Sequence, residues 1–187
     1  RISNFTDFNA LSRLEPVGLR YVERADALGS PDLIILPGTK NTMGDLNWMR
    51  RNGLEDAVKK CASSGTPLVG VCGGYQMLGN TLSDPDGVED GGEMRGMGLL
   101  PAETVFEPRK VRTRVTGRVL PQDGFFAPLT DLQPAGYEIH MGHTALAGEA
   151  KPFAVLNDGR TDGAVLGCVF GSYVHGLFDG ELGTQLV

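Results

Sequence analysis

Cys72 is ringed by glycines. The run Pro67-Leu68-Val69-Gly70-Val71-Cys72-Gly73-Gly74-Tyr75-Gln76 sets Gly70 and Gly74 two residues on either side of it. G-x-C-x-G is the cysteine form of a nucleophile elbow, a sharp strand-to-helix turn that presents one reactive side chain. Such a turn holds the nucleophile in a strained backbone conformation and leaves no room for side chains two residues away. A helix that follows aims its free N–H groups and positive end at the sulfur, which suits an attacking thiolate. The chemistry implied is acyl transfer through a thioester. Free cysteines are most often small buried hydrophobes, but burial alone does not call for flanking glycines.

A thiol nucleophile needs a base within hydrogen-bond reach, and its oxyanion needs donors. The histidines are His140, His143 and His175. His140 and His143 stand three apart in an expected strand and so face opposite sides, which argues against a metal pair. His175 follows an apolar run and precedes Gly176-Leu177-Phe178. That places it at a strand end, where a partner for Cys72 can stand. The Gly73 N–H supplies one oxyanion donor by elbow geometry. Gly38, in the turn-rich loop after a neighbouring strand, is the natural second source. Cys61 falls on a helical apolar stripe and Cys168 inside an expected strand, so both read as core.

The elements that position these residues are legible in turn. Residues 1–16 read as an irregular lead-in and Val17 to Val22 as a weak first strand. Asp32-Leu33-Ile34-Ile35-Leu36 is a continuous aliphatic run, expected of a parallel strand covered on both faces. Its loop, Pro37 to Thr42, lies where open α/β sheets place their ligands. Met43, Leu46 and Met49 predict a helix over 43–51. Leu54, Ala57, Val58, Cys61 and Ala62 predict a second, ended by Gly65. The strand into Cys72 and a short helix from Tyr75 to Leu78 complete a strand–helix–strand–helix order, the sign of a parallel sheet. Residues 83–98 read as a solvated acidic loop. Lys110 to Arg118 alternates as a half-exposed antiparallel strand. Gly136 to Thr144, Phe153 to Leu156 and a long Gly163 to Val174 are further strands, with a hairpin turn at Asn157-Asp158-Gly159.

Composition narrows the class. The 187 residues carry 27 glycines, about twice the usual share of 7%, which suits a site built on loops. A net charge of −6 argues against nucleic acid as partner. No apolar run approaches the roughly 18 residues of a membrane span. Three scattered cysteines point to neither disulfides nor zinc but to a reducing, cytoplasmic compartment. An opening Arg1 in place of Met leads us to expect a piece of a longer chain.

Four stretches together carry a resemblance: Leu36-Pro37-Gly38-Thr39-Lys40-Asn41-Thr42, Cys72 to Gly79, Gly136-Tyr137-Glu138-Ile139-His140-Met141-Gly142 and Tyr173 to Asp179. With Gly70-Val71-Cys72-Gly73-Gly74-Tyr75-Gln76 they resemble class I glutamine amidotransferases, and more narrowly the glutaminase domains of cobyric acid synthases. The opening Arg1-Ile2-Ser3-Asn4-Phe5-Thr6-Asp7 is similar to the interdomain segment of those enzymes. The resemblance implies an α/β flavodoxin-like fold, mostly parallel at its centre with an antiparallel second-half extension. Residues 1–16 would be the interdomain lead-in and 17–187 the glutaminase domain, the ATP-dependent synthase domain lying before Arg1.

What the resemblance implies for chemistry is specific. Cys72 attacks the side-chain amide of L-glutamine, His175 is base and then acid, Gly38 and Gly73 form the oxyanion hole, and Gln76 helps bind the substrate. Ammonia passes to the synthase domain, which uses ATP and magnesium to amidate a corrinoid acceptor; the glutaminase half itself needs no cofactor or metal. Leu177 stands where the wider class carries an acid two residues after the histidine. Either His175 works in a Cys–His dyad, with weak intrinsic activity, or another carboxylate orients it, with Glu138 and Asp179 as candidates. Competing readings are a related amidating ligase, acting on cobyrinate or a cell-wall lipid intermediate, and a non-catalytic docking module. The intact Cys72, His175, Gly70 and Gly74 set speaks against the last.

Overall fold

The computed structural model of the chain describes residues 2–187; Arg1, the first residue of the opening motif, lies outside them. The aliphatic run forms β1 (Ile34–Leu36), and its loop delivers the chain to α1 (Thr42–Arg51), capped by the Asn41 side chain accepting from Gly44 N at 2.6 Å. Next come α2 (Leu54–Ser63), β2 (Leu68–Val71) and α3 (Gly73–Leu78). Then β3 (Thr81–Asp84) and β4 (Gly92–Arg95) form a hairpin, followed by the long β5 (Ala102–Val119) and β6 (Ala135–Leu146). The chain closes with β7 (Ala154–Leu156), β8 (Thr161–Asp162), β9 (Ala164–Leu166), β10 (Val169–Ser172), β11 (Val174–His175) and α4 (Glu181–Gln185).

One sheet runs β1-β2-β10-β9, with β1, β2 and β10 parallel and β9 antiparallel at the edge. Its central strand β2 is buried at every position. Leu68 packs into one core with Leu36, Met43, Leu46, Val58 and Tyr75, while Val69 and Val71 enter a second with Phe8, Phe170 and Val174. That two-sided burial is why the strand reads as unbroken aliphatic sequence. A second sheet, β11-β6-β5-β3-β4, is built on the β5–β6 pair and carries β7 and β8 at its side. The antiparallel extension expected of the second half is this sheet. Among the described residues no helix is long and apolar enough to cross a membrane.

Four local expectations are corrected. Residues 17–22 form no strand; the Arg20 guanidinium holds the segment to the carbonyls of Ala27 and Leu28 instead. The long strand expected from Gly163 to Val174 folds back on itself, because Gly167 at φ +58 turns β9 into β10. Cys168 therefore sits in a turn, partly buried against the core. Residues 83–98 are not a plain solvated loop. Asp84 is buried and its carboxylate accepts from the N–H groups of Val88, Glu89 and Gly91 at 2.7–2.8 Å, organising the β3–β4 turn.

Candidate active site

β2 runs into the elbow and stops. Cys72 has φ +52 and ψ −111, one of two positive-φ positions outside glycine among the described residues. For a residue with a Cβ this conformation costs about 1–3 kcal/mol and persists only where its surroundings enforce it. They do so from both sides: Cys72 N donates to Ser172 O of β10 at 2.8 Å, and Cys72 O accepts from Gln76 N at 3.0 Å. The flanking glycines are required by close approach. A Cβ on Gly70 would lie 2.7 Å from the Tyr75 backbone, and one on Gly74 would be driven into the Leu36 carbonyl. The thiol is buried and reaches the Ile139 carbonyl at 3.5 Å.

His175 ends β11, as expected, and lies beside the elbow. Its ring Cε1 is 2.8 Å, and the Cys72 Cβ 3.6 Å, from the point where a Cβ on Gly38 would stand. Its Nδ1 bonds the Asp7 carboxylate at 2.7 Å, and the second Asp7 oxygen accepts from Gly176 N at 3.2 Å. A carboxylate only accepts, so Nδ1 carries the proton and Nε2 is left for the sulfur. Asp7 and His175 are both only 3% exposed. This corrects the sequence-based candidates for the orienting acid. Glu138 is held by Arg160 Nη2 at 2.7 Å, and the exposed Asp179 sits in the turn after His175. The imidazole is thus held by a carboxylate, Asp7, that is not among those candidates.

The loop of residues 37–42 lies against the elbow. A Cβ on Gly73 would lie 2.5 Å from Thr39 Cγ2, 3.1 Å from Thr42 Oγ1 and 3.2 Å from Thr39 N, so the residue after Cys72 packs directly against that loop. Gln76 lies beneath it with its carboxamide in use: Oε1 accepts from Thr42 Oγ1 at 3.0 Å, and Nε2 donates to Met141 O and Tyr173 Oη at 3.1 and 3.2 Å. Behind the loop, the Glu89 carboxylate caps α1 by accepting from Thr42 N and Met43 N at 3.0 and 2.9 Å. Burial pushes the Glu89 carboxyl up against the opposing pull of those bonds. The acidic loop thus braces the start of α1 and the 37–42 loop that leads into it.

The family model of the CobB/CobQ-like glutamine amidotransferase domain matches residues 1–182. The chain belongs to that family. Cobyric acid synthase of Ruminiclostridium cellulolyticum is 53% identical over 97% of the chain, and that of Moorella thermoacetica 48% over 96%. The chain spans only 37% and 36% of their lengths. Among solved structures, a glutamine amidotransferase superposes with TM-score 0.65 at 20% identity, covering 94% of this chain and 86% of its own. PurLQS from Thermotoga maritima gives 0.63 at 22%, covering 83% and 74%. At such identities these two likenesses speak to the fold, which is that of class I glutamine amidotransferases.

In this CobB/CobQ-like domain the histidine pair divides as the spacing implied. His140 turns inward and stacks on Tyr173 at 3.8 Å between centroids, whereas His143 is exposed beside Glu107. Asp7 is the site residue that sequence reasoning missed. Its only signal is its place in the opening motif, in a 3-10 turn with no periodicity to mark it.

The electrostatics of His175 carry a pH consequence. Burial acts to lower its pKa, but the hydrogen bonds to Asp7 and Cys72 outweigh burial and raise it from 6.5 to about 9. A folded-state value above the unfolded one stabilises the fold fully below the unfolded pKa and is lost as pH climbs through the folded one. The melting temperature is therefore expected to fall as pH rises from 6.5 to about 9, and to fall less in Asp7→Asn. Thermal melts of both proteins across that window check it.

Proposed function

We propose that this domain hydrolyses the side-chain amide of L-glutamine through a thioester on Cys72 and delivers the ammonia to an ATP-dependent synthase domain, which amidates corrinoid side-chain carboxylates. The observation that carries the reading is the alignment of a strained elbow cysteine with a buried histidine whose Nδ1 is fixed on Asp7 at 2.7 Å. The Cys72 thiol gives its proton to His175 Nε2 as the sulfur attacks the amide carbon, a C–S bond forms, and the carbonyl electrons move to oxygen, where the N–H groups of Gly38 and Gly73 receive the charge. Collapse breaks the C–N bond, and the His175 imidazolium gives its Nε2 proton to the leaving ammonia. A water then loses a proton to Nε2 and attacks the thioester. The C–S bond breaks, glutamate leaves, and the sulfur recovers its starting form. Asp7 holds the tautomer throughout.

The Ile139 carbonyl, 3.5 Å from the sulfur, is an acceptor of the right sign for the amide N–H groups of glutamine and the wrong sign for the carboxylate of glutamate. Gln76 contacts substrate by exchanging one of its present partners. The cobyric acid synthase relatives support the corrinoid as acceptor. The test measures glutamate and ammonia release by the full-length protein, with and without ATP, and maps labelling by a glutamine-mimicking electrophile. Label on Cys72 alone with ammonia released supports the reading. Label on Cys61 or Cys168 with Cys72 untouched would sink it, and no ammonia above background favours a docking module.

A further inference from the structure

His175 is held by more than its acid. In the β6–β11 pairing Tyr137 stands directly opposite it, and the two rings stack at 5.2 Å between centroids with planes 15° apart. Cross-strand neighbours on one face are the contacts a sheet fixes best. The Tyr137 hydroxyl accepts from Asn4 Nδ2 at 2.7 Å, and the same Nδ2 donates to Asp7 Oδ1 at 2.9 Å. The Asp7 carboxylate only accepts, so the Asn4 amide must turn Nδ2 towards it, which leaves Oδ1 to accept from Thr6 Oγ1 at 2.6 Å. The circuit Tyr137–Asn4–Asp7–His175 closes on itself.

We propose that Tyr137 is a positioning residue for the His175 imidazole, holding one face of the ring directly and the acid behind it through Asn4. The proposal rests on the hydrolytic role assigned above to Cys72 and His175. Three neighbours then meet on one ring: Asp7 at Nδ1, the Tyr137 face, and Gly38, where an added Cβ would stand 2.8 Å from Cε1. A single bond to Nδ1 leaves the imidazole free to swing about that bond; the stacked ring removes that freedom. An aromatic face also favours the imidazolium that each half-reaction forms. The ionisable groups around the ring are Asp7, Cys72 and Tyr137 itself, with Asp179 beyond the Gly176 turn.

The test compares the native protein, in full-length form, with Tyr137→Leu, Tyr137→Phe, Asn4→Ala and the Tyr137→Phe/Asn4→Ala pair. One readout is kcat and KM for glutamine hydrolysis. The other is the pH profile of iodoacetamide alkylation at Cys72, which needs no turnover. Tyr137→Leu is expected to lower kcat about threefold to tenfold with KM nearly unchanged, and to shift the alkylation profile. Tyr137→Phe keeps the stack and restores most of the rate. What it still lacks should not exceed the loss in Asn4→Ala, which also removes the bond to Asp7, and the double variant should lose no more than Asn4→Ala alone. Native kcat and profile in Tyr137→Leu overturn the proposal, as does a loss confined to KM. Where Tyr137→Leu does not fold, the Tyr137→Phe/Asn4→Ala cycle decides, and fully additive losses overturn it. A native protein that releases no ammonia defeats the hydrolytic reading alone, and the alkylation profile still judges Tyr137.

Discussion

Cys72→Ala is expected to reduce glutamine hydrolysis to background, a loss on the order of 10⁶ in kcat, as for nucleophiles that act as one unit with their base. Initial-rate assays of ammonia release, with far-UV circular dichroism to show the fold intact, check it. Residual turnover above about a thousandth of the native rate would mean that another group attacks the amide. The elbow geometry adds a second expectation to the same position. Cys72→Gly should be equally inactive yet melt no lower than Cys72→Ala, because only glycine is at ease at φ +52. Cys72 sits where its own side chain is a conformational liability, held by Ser172 and by the packing of Gly70 and Gly74.

Asp7→Asn is expected to lower kcat on the order of 10⁴-fold while leaving KM close to native, since the acid acts through the base and not on bound substrate. Asparagine keeps the size of the side chain, but its amide can donate to Nδ1. The proton then moves to Nε2, which becomes unable to take one from the thiol or from water. Steady-state kinetics of the purified variant decide the matter. Asp179→Asn, made in parallel, should keep kcat near the native value, because that exposed carboxylate stands past the Gly176 turn. If the effects were reversed, Asp179 and not Asp7 would be the orienting acid.

The parts of this site that were legible in the sequence are those that repeat a local physical need. Gly70 and Gly74 mark the elbow because backbone crowds them, and the aliphatic runs of β1 and β2 mark a strand with core on both faces. His175 was placed at a strand end by the apolar run before it. Asp7 leaves no such trace, because its partner is distant in sequence and its own turn is short and polar. The start of β5 was missed for a related reason. Its pairing with β6 shifts register between Val105 and Lys110, so the alternation that identified Lys110 to Arg118 does not run back to Ala102. The Gly163 to Val174 stretch erred the other way, since a strand and a tight hairpin of two strands share one apolar pattern until a glycine at positive φ separates them.

The Asp7–His175 bond joins residues 168 apart. The chain between them holds both sheets. Closing so long a loop is entropically costly and slow compared with local contacts. The elbow is not held by its own strand and helix alone, because Cys72 N donates to Ser172 O on β10, three residues before His175. The elbow and the histidine beside it therefore depend on the same late strands, because β10 supplies the Cys72 contact and β11 carries His175. The Asp7–His175 bond then serves as a report on completion, since it forms only when the fold has brought these two distant residues together.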